Sequence, residues 1–135
     1  MIAREMMTPT PARVFETARV RDAVEMLQAL EVRHLPVVND DDELVGMLSD
    51  RDLRGLAVPD VAAGELQGTV LRAMDSSVAT VMSSSVVSVE EEDEVEDVVE
   101  LMLDSKVGAV PVVDGDGVLV GIISYIDVLR KATFE

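Results

Sequence analysis

The chain carries the same pattern twice, 75 positions apart. Residues 35–52 read as two short apolar strands joined by a polar turn and followed by a helix. Residues 110–127 repeat the Pro, the Val-Val pair, the Leu-Val-Gly run and the Ser-x-x-Asp motif at the same spacing. Without any gap, 18 of the 55 paired positions between residues 3–57 and 78–132 are identical. A register kept through strands, turn and helix indicates two copies of one structural unit.

The first half of each copy predicts a short strand and a helix. Residues 12–15 and 87–90 read as extended segments. An apolar stripe at helical spacing predicts a helix over residues 20–31 and an equivalent helix that begins near Val95. Asp93 stands just before that second helix, with an acid three residues later, and is therefore predicted to cap it.

The second half of each copy predicts a strand hairpin and a closing helix. Residues 39–43 and 114–117 have turn composition and lie between β-rich runs. The segment that begins at Asp114 lacks the third acidic ligand and the distal Glu of a calcium loop, so it is interpreted as a hairpin turn. The closing helices are predicted to start near Ser49 and Ser124.

Neither copy has enough apolar surface for a stable fold of its own. The two are therefore predicted to form one α/β (α+β) module of two β-α-β-β-α repeats with pseudo-two-fold symmetry. The predicted boundaries are residues 1–57 for the first repeat, 58–77 for the connector and 78–135 for the second repeat. Hydrophobic residues make up 48% of the chain and aromatic residues only 2%, which predicts an aliphatic core. The chain has no cysteine, which excludes disulfides and thiolate metal sites.

The formal charge of −16 arises from 27 acidic and 11 basic residues. Such a surface repels a polyphosphate backbone, so nucleic acid is not an expected partner. Nine of the basic residues are Arg, and a surface rich in acids and poor in Lys is typical of halophilic proteins. The alternative is an acidic protein without salt adaptation. No apolar run reaches the roughly 18 residues of a membrane span, and the first residues lack a signal-peptide pattern. We therefore expect a cytoplasmic protein without membrane insertion.

The repeated motifs, h-x-x-P-V-V followed by G-h-h-S-x-x-D, resemble those of the CBS domain, which is named after cystathionine beta-synthase. Two copies in tandem resemble a CBS pair, or Bateman module, and the resemblance covers residues 1–57 and 78–135. It implies a stand-alone regulatory module that binds an adenosine-containing effector (AMP, ADP, ATP, S-adenosylmethionine or NAD) in clefts between the repeats. It also implies a disc-like homodimer that passes a change of shape to a partner protein. One His and no Cys provide no nucleophile–base set, so we expect no enzyme and no catalytic cofactor.

The resemblance also implies two ligand sites, each built from both repeats. An ionised carboxylate can accept hydrogen bonds from both ribose hydroxyls, and a helix-start hydroxyl suits a phosphate or ribose oxygen. The first cleft is expected to combine Ser49, Asp52, Ser85, Val87, Gly108 and Ala109. The second cleft is expected to combine Ser124, Asp127, Thr10, Ala12, Arg33 and His34. Arg51 and Arg54 are further candidates for phosphate contacts.

Several alternatives remain open at this level. Ser-x-x-Asp is also a helix-capping pattern. His34 is equally consistent with a partly exposed strand residue, and Arg51 and Arg54 with solvated surface residues. The eight Met residues are interpreted as core filler. Two other functions also fit the fold, namely a ligand-free dimerisation or interaction module and a divalent-cation (magnesium) sensor, although no residue is assigned as a metal ligand.

Overall fold

The structure is a computed structural model that describes residues 1–54 and 72–131, apart from the side chain of Arg54. Most of the predicted connector, residues 58–77, lies outside the described residues. The chain divides into two compact units. Unit 1 comprises Met1–Pro11, Asp41–Leu44 and Val87–Glu135, and unit 2 comprises Ala12–Asp40 and Val45–Val86. Each unit therefore contains most of one repeat together with the first residues of the other, and unit 1 also includes residues 41–44 of the first repeat.

The elements of each repeat follow the order β-α-β-β-α. In chain order they are α1 (Ala3–Met6), β1 (Thr8–Pro9), β2 (Val14–Phe15), α2 (Val20–Leu30), β3 (His34–Val38), β4 (Leu44–Ser49), α3 (Asp50–Arg54), a 3-10 turn (Val78–Thr80), β5 (Val89–Glu90), α4 (Val95–Ser105), β6 (Ala109–Val113), β7 (Leu119–Ser124) and α5 (Tyr125–Lys131). Mixed helices and sheets in this order confirm the predicted fold class.

Unit 1 contains a four-stranded sheet with the order β1-β7-β6-β5. β1 and β7 are antiparallel, β6 and β7 are antiparallel, and β5 runs parallel to β6. Its core packs α1 and α4 against the sheet. The fully or nearly fully buried residues include Ala3, Val98, Val110, Val112 and Ile123. All of these side chains are aliphatic, as the composition predicts.

Unit 2 contains a three-stranded sheet with the order β2-β3-β4, in which β2 is parallel to β3. The segment before β5 completes the unit, because Val78 is fully buried against this sheet and its helix. The core again consists of aliphatic side chains. Those with no exposure include Ala23, Leu35, Val37 and Leu48.

The local predictions hold with two adjustments at helix ends. The helix predicted over residues 20–31 ends at Leu30, because Glu31 has a left-handed backbone with φ of 55°. The prediction that Asp93 caps α4 is wrong. The residue that precedes α4 is Glu94, and it makes no side-chain capping bond. The carboxylate of Asp93 instead accepts a hydrogen bond from the backbone N–H of Glu90 at 2.9 Å and closes the turn before the helix.

The turn between β6 and β7 is a hairpin turn organised by one carboxylate. Asp114 Oδ1 accepts backbone hydrogen bonds from Asp116 at 2.8 Å and from Val118 at 3.0 Å. Gly117 adopts φ of 83°, a left-handed conformation that glycine accepts without strain. Within the described residues, no helix has the length and apolar composition to span a membrane.

Candidate functional site

The first Ser-x-x-Asp motif closes the junction between β4 and α3 in unit 2. The backbone N–H of Ser49 donates to Asp52 Oδ2 at 3.0 Å, and the N–H of Asp52 donates to Ser49 Oγ at 3.1 Å. These reciprocal bonds form a capping box, in which each side chain satisfies the other residue's backbone. The capping interpretation of the motif is therefore confirmed, and the same bonds fix the orientation of the Asp52 carboxylate.

The second motif repeats this geometry between β7 and α5 in unit 1. The backbone N–H of Ser124 donates to Asp127 Oδ2 at 2.9 Å, and the N–H of Asp127 donates to Ser124 Oγ at 3.2 Å. The Ser124 hydroxyl lies 3.1 Å from the same carboxylate oxygen. Both motifs therefore hold a half-buried carboxylate in a fixed orientation at the start of a helix.

The two carboxylates differ in their remaining oxygen. In unit 1, the hydroxyl of Thr8 donates a long hydrogen bond of 3.4 Å to Asp127 Oδ1. In unit 2, Asp52 Oδ1 accepts no hydrogen bond from the residues that the structure describes. Because a carboxylate oxygen can accept two hydrogen bonds, both motifs retain acceptor capacity for a donor from outside the protein. That capacity is larger at Asp52.

His34 lies beside the first motif. The backbone of Asp50 donates to the carbonyl of Arg33 at 2.9 Å, which brings the start of β3 next to the end of β4. Burial lowers the pKa of His34. The negative charges of Asp52 and Asp50 act in the opposite direction, and the positive charge of Arg33 adds to the lowering. The imidazole is therefore neutral at pH 7 and can act both as a donor and as an acceptor.

The corresponding place in unit 1 carries small residues instead. The N–H of Tyr125 donates to the carbonyl of Gly108 at 3.0 Å, and Ala109 pairs with Ser124 across β6 and β7. The equivalent positions, 75 residues apart, are thus Arg33–His34 in one unit and Gly108–Ala109 in the other. One motif therefore has a bulky, polar neighbour, and the other has two small residues, of which Ala109 is buried.

The predicted site residues fall into two groups, one in each unit. Unit 2 contains Ser49, Asp52, Ser85, Ala12, Arg33, His34 and Arg51. Unit 1 contains Ser124, Asp127, Thr10, Val87, Gly108 and Ala109. Within a unit the structure places Arg33–His34 beside Asp52, and Gly108–Ala109 beside Ser124. The pairings predicted across the repeats remain predictions.

The charged candidates for an anion site are exposed. Arg33 and Arg51 are both on the surface of unit 2, and the side chain of Arg54 lies outside the described residues. Across the described ranges, 1–54 and 72–131, no group of three or more His, Asp or Glu side chains is arranged to hold a metal ion.

Thr8 is a candidate site residue that the sequence analysis does not name. It contacts Asp127 from the segment that precedes β2, although the two residues are far apart in sequence. A signal was present, because Ser83 stands 75 positions after Thr8 and also carries a hydroxyl. The contact itself follows from the pairing of β1 with β7, which the sequence does not indicate.

Comparison with known proteins gives a consistent family assignment. The family model described as CBS domain matches residues 3–58 and again residues 78–133. The chloroplastic CBS domain-containing protein CBSX2 of Arabidopsis thaliana is 35% identical over an alignment 130 residues long, and the match covers 84% of this chain and 55% of the relative. The chain thus spans about half the length of the curated relatives it matches.

Solved structures share the fold. A crystal structure of CBSX2 in complex with AMP is similar with a TM-score of 0.82 and 34% identity, and the match covers 97% of this chain and 95% of that chain. Protein MJ1225 from Methanocaldococcus jannaschii is similar with a TM-score of 0.86 and 26% identity, over 98% of this chain and 48% of that chain.

Proposed function

Since the chain belongs to the CBS domain family, we propose that it is a regulatory module that binds an adenosine-containing ligand and passes its occupancy to a partner protein. One observation carries this proposal. The chain holds two carboxylates, Asp52 and Asp127, in fixed orientation by reciprocal bonds to serines at the start of a helix. The AMP complex of the similar protein CBSX2 supports the class of ligand.

The proposed recognition chemistry starts from the ribose. A ribose diol offers two O–H donors, and an ionised carboxylate accepts both in strong, charge-assisted hydrogen bonds. Reciprocal bonding to Ser49 means that Asp52 loses little side-chain entropy when the ligand arrives, and preorganisation of this kind favours affinity. The same argument applies to Asp127 and Ser124.

The two proposed sites combine residues from both repeats, as the family resemblance implies. The first joins Ser49 and Asp52 to Ser85, Val87, Gly108 and Ala109. The second joins Ser124 and Asp127 to Thr10, Ala12, Arg33 and His34. The small residues of the first site suit close stacking of an adenine ring. The second site carries Arg33 and His34, which suit a phosphate, and Arg51 and Arg54 supply further positive charge in the same repeat.

Regulation follows from the position of the ligand. A molecule that bridges both repeats favours one relative orientation of the two, and it can shift that equilibrium only by its different affinity for the two states. A partner protein then reads the orientation. We interpret the acidic residues in the turns and at the helix starts as solvated surface residues. The proposed module has no catalytic role.

A disc-like homodimer is the second part of the proposal. On α5 the side chains of Tyr125, Ile126 and Leu129 are 51%, 44% and 58% exposed and lie on one face. The equivalent positions of the first repeat are Asp50, Arg51 and Arg54, so the fold does not require apolar residues there. An apolar helix face of this kind supports burial against a second copy. Ile126→Arg, which transfers the residue of the first repeat, should give a monomer in light scattering.

Calorimetry tests the ligand proposal. AMP, ADP, ATP, S-adenosylmethionine and NAD are titrated into the protein in concentrated salt, and at least one should bind. Asp52→Ala and Asp127→Ala should each weaken binding by about 1.5–3 kcal/mol, the range for a hydrogen bond to a charged group. Asp104→Ala, which removes an exposed acid of α4, is the control and should bind as the wild type does.

A failure of all five compounds would contradict the sensor proposal. A dimer that persists in that case would favour the alternative of a ligand-free interaction module, which the exposed face of α5 also supports. A stabilising effect of magnesium without any nucleotide effect would favour a cation sensor.

A further inference from the structure

We propose that Met7 positions one wall of the Asp127 ligand site, because its side chain fills a notch at Gly121 and holds residues 8–10 against β7. The effect on ligand binding rests on the proposed function above. The positional part does not, since it concerns a contact within unit 1. Met7 acts through the segment that follows it and does not itself contact the ligand.

The notch at Gly121 fits the Met7 side chain and excludes a larger residue. A Cβ atom built on Gly121 would overlap the sulfur of Met7 and would lie 2.8 Å from its Cγ and 3.1 Å from its Cβ. Three successive atoms of one side chain therefore lie across the glycine. Met7 is 9% exposed and belongs to the core of unit 1. Only glycine at position 121 allows this approach.

The segment after Met7 leads directly to the candidate site. Thr8 pairs with Ile122 and Pro9 with Gly121 in the antiparallel contact of β1 and β7. The N–H of Thr10 donates to the carbonyl of Val120 at 3.1 Å. The hydroxyl of Thr8 then reaches Asp127 Oδ1 at 3.4 Å. The position of these two threonines relative to the carboxylate is therefore set by how the segment lies on β7.

The hydrogen bonds alone are a weak anchor. β1 has two residues, both exposed, and so short a strand exchanges its hydrogen bonds with water at little cost. The buried Met7 side chain adds the apolar contact that the strand lacks. On the other side of Met7, the ammonium group of Lys131 donates to the carbonyls of Met6 at 3.1 Å and Glu5 at 3.3 Å. Met7 thus lies between the end of α1, which Lys131 holds by hydrogen bonds, and the exposed strand β1.

Unit 2 contains an equivalent contact between a methionine and a glycine, which provides a control for the Met7 contact. A Cβ atom built on Gly46 would overlap the sulfur of Met82 and would lie 3.0 Å from its Cγ. The next residue, Ser83, exchanges two backbone hydrogen bonds of 2.9 Å with Met47 on β4. Met7 and Met82 are 75 residues apart, as are Gly46 and Gly121. The two contacts are equivalent, and each precedes a segment with hydroxyl side chains.

The test uses Met7→Ala, Gly121→Ala and the double variant, all in the Asp52→Ala background so that AMP reports only the Asp127 site. Each single change should weaken AMP binding by about tenfold, the effect of losing roughly one hydrogen bond. Each should also accelerate amide hydrogen exchange at Thr10. Both changes disrupt the same contact between Met7 and Gly121. The double variant should therefore bind AMP no more weakly than the single variant with the lower AMP affinity.

Gly46→Ala is the matched control. It makes the same substitution in unit 2, so it should accelerate exchange at Ser83 and leave exchange at Thr10 and AMP binding at the Asp127 site unchanged. Unchanged exchange along α4 in every variant separates a displaced segment from general unfolding.

The outcomes separate the two proposals. If AMP binds and its affinity is the same in all Met7 and Gly121 variants, the positioning role is wrong and the proposed function stands. If the wild type binds neither AMP nor any of the other four adenosine compounds, the proposed function fails, and amide exchange at Thr10 then tests the anchoring role of Met7 by itself. Faster exchange in Gly121→Ala then supports the anchoring of residues 8–10 by Met7, and unchanged exchange overturns it.

Discussion

At the scale of single residues, the two interpretations of Ser-x-x-Asp describe one arrangement. The hydrogen bonds that cap α3 also hold the Asp52 carboxylate still, and those that cap α5 hold Asp127. The cap uses one carboxylate oxygen, and the other retains acceptor capacity, which Thr8 partly uses at Asp127. The motif itself predicts the cap, and the ribose contact is what the family resemblance implies and stays a proposal. The sequence does not predict that Thr8 contacts Asp127, because that bond depends on which distant segment lies on β7.

His34 provides a pH-dependent prediction at the same scale. Burial lowers its pKa in the folded protein, so between neutral and mildly acidic pH the unfolded chain binds more protons than the folded one. The free energy of unfolding should therefore be constant above the unfolded pKa and should fall as the pH is lowered toward the folded pKa. Denaturant unfolding at pH 7.5 and at pH values down to about 5.5 measures this, since that window begins just above the ordinary histidine pKa.

His34→Gln is the control for this prediction, because glutamine keeps a polar side chain and cannot titrate. The variant should show a shallower dependence on pH over the same window than the wild type. Equal slopes for the two proteins would mean that the surroundings of His34 do not disfavour its protonation.

At the scale of elements, the ends of α2 and α4 predict that glycine stabilises the protein just after a helix and destabilises it inside the helix. Glu31 and Lys106, the residues after these helices, have left-handed backbones with φ of 55° and 56°. Glycine adopts this conformation without the strain of a Cβ atom. Glu31→Gly should therefore raise the free energy of unfolding by about 0.5–1 kcal/mol.

The matched control places the same substitution inside the helix. Glu25 is an exposed residue of α2, and Glu25→Gly should lower the free energy of unfolding by about 1 kcal/mol, the helix-propensity cost of glycine. Urea titrations of the two variants measure both effects. A loss of stability in Glu31→Gly would contradict the description of the helix end.

Most of the helices and strands could be predicted from the sequence. The sequence does not indicate that the first residues of each repeat belong to the same unit as the other repeat. Apolar periodicity indicates α2 and α4, because one face of each helix is buried, and the two Val-Val runs indicate the central strands. β1 has only two residues, both exposed, so no periodicity identifies it. Its partner strand β7 lies at the other end of the chain, and that pairing results from tertiary packing. The predicted cap at Asp93 failed for a related reason, since its carboxylate closes a local turn instead.

At the scale of the whole molecule, the charge is unevenly divided. By sequence count, unit 1 has 17 acidic and 4 basic residues, a net charge of −13, whereas unit 2 has 10 acidic and 7 basic residues, a net charge of −3. Repulsion among like charges destabilises a compact state, and salt screens it. Raising KCl from 0.05 M to 2 M should therefore raise the midpoint of thermal unfolding by about 5 °C or more.

A variant of α4 tests the origin of this effect. Glu96 and Glu100 are exposed and four residues apart, a spacing at which like charges repel on a helix. Glu96→Gln with Glu100→Gln should be more stable than the wild type at low salt and should gain less from KCl. A wild-type midpoint that falls as KCl is added would contradict the role of charge repulsion.

The central claim is that Asp52 and Asp127 bind the ribose of an adenosine ligand. The most direct measurement is a calorimetric titration of AMP into the wild type and into the double variant Asp52→Ala with Asp127→Ala. Asp22→Ala with Asp97→Ala is the matched control, because it removes two exposed acids that are also 75 residues apart. On this claim, we expect equal AMP affinity in the wild type and the control, and affinity weaker by about 1.5–3 kcal/mol at each site of the Asp52/Asp127 variant. Equal AMP affinity in all three proteins would contradict it.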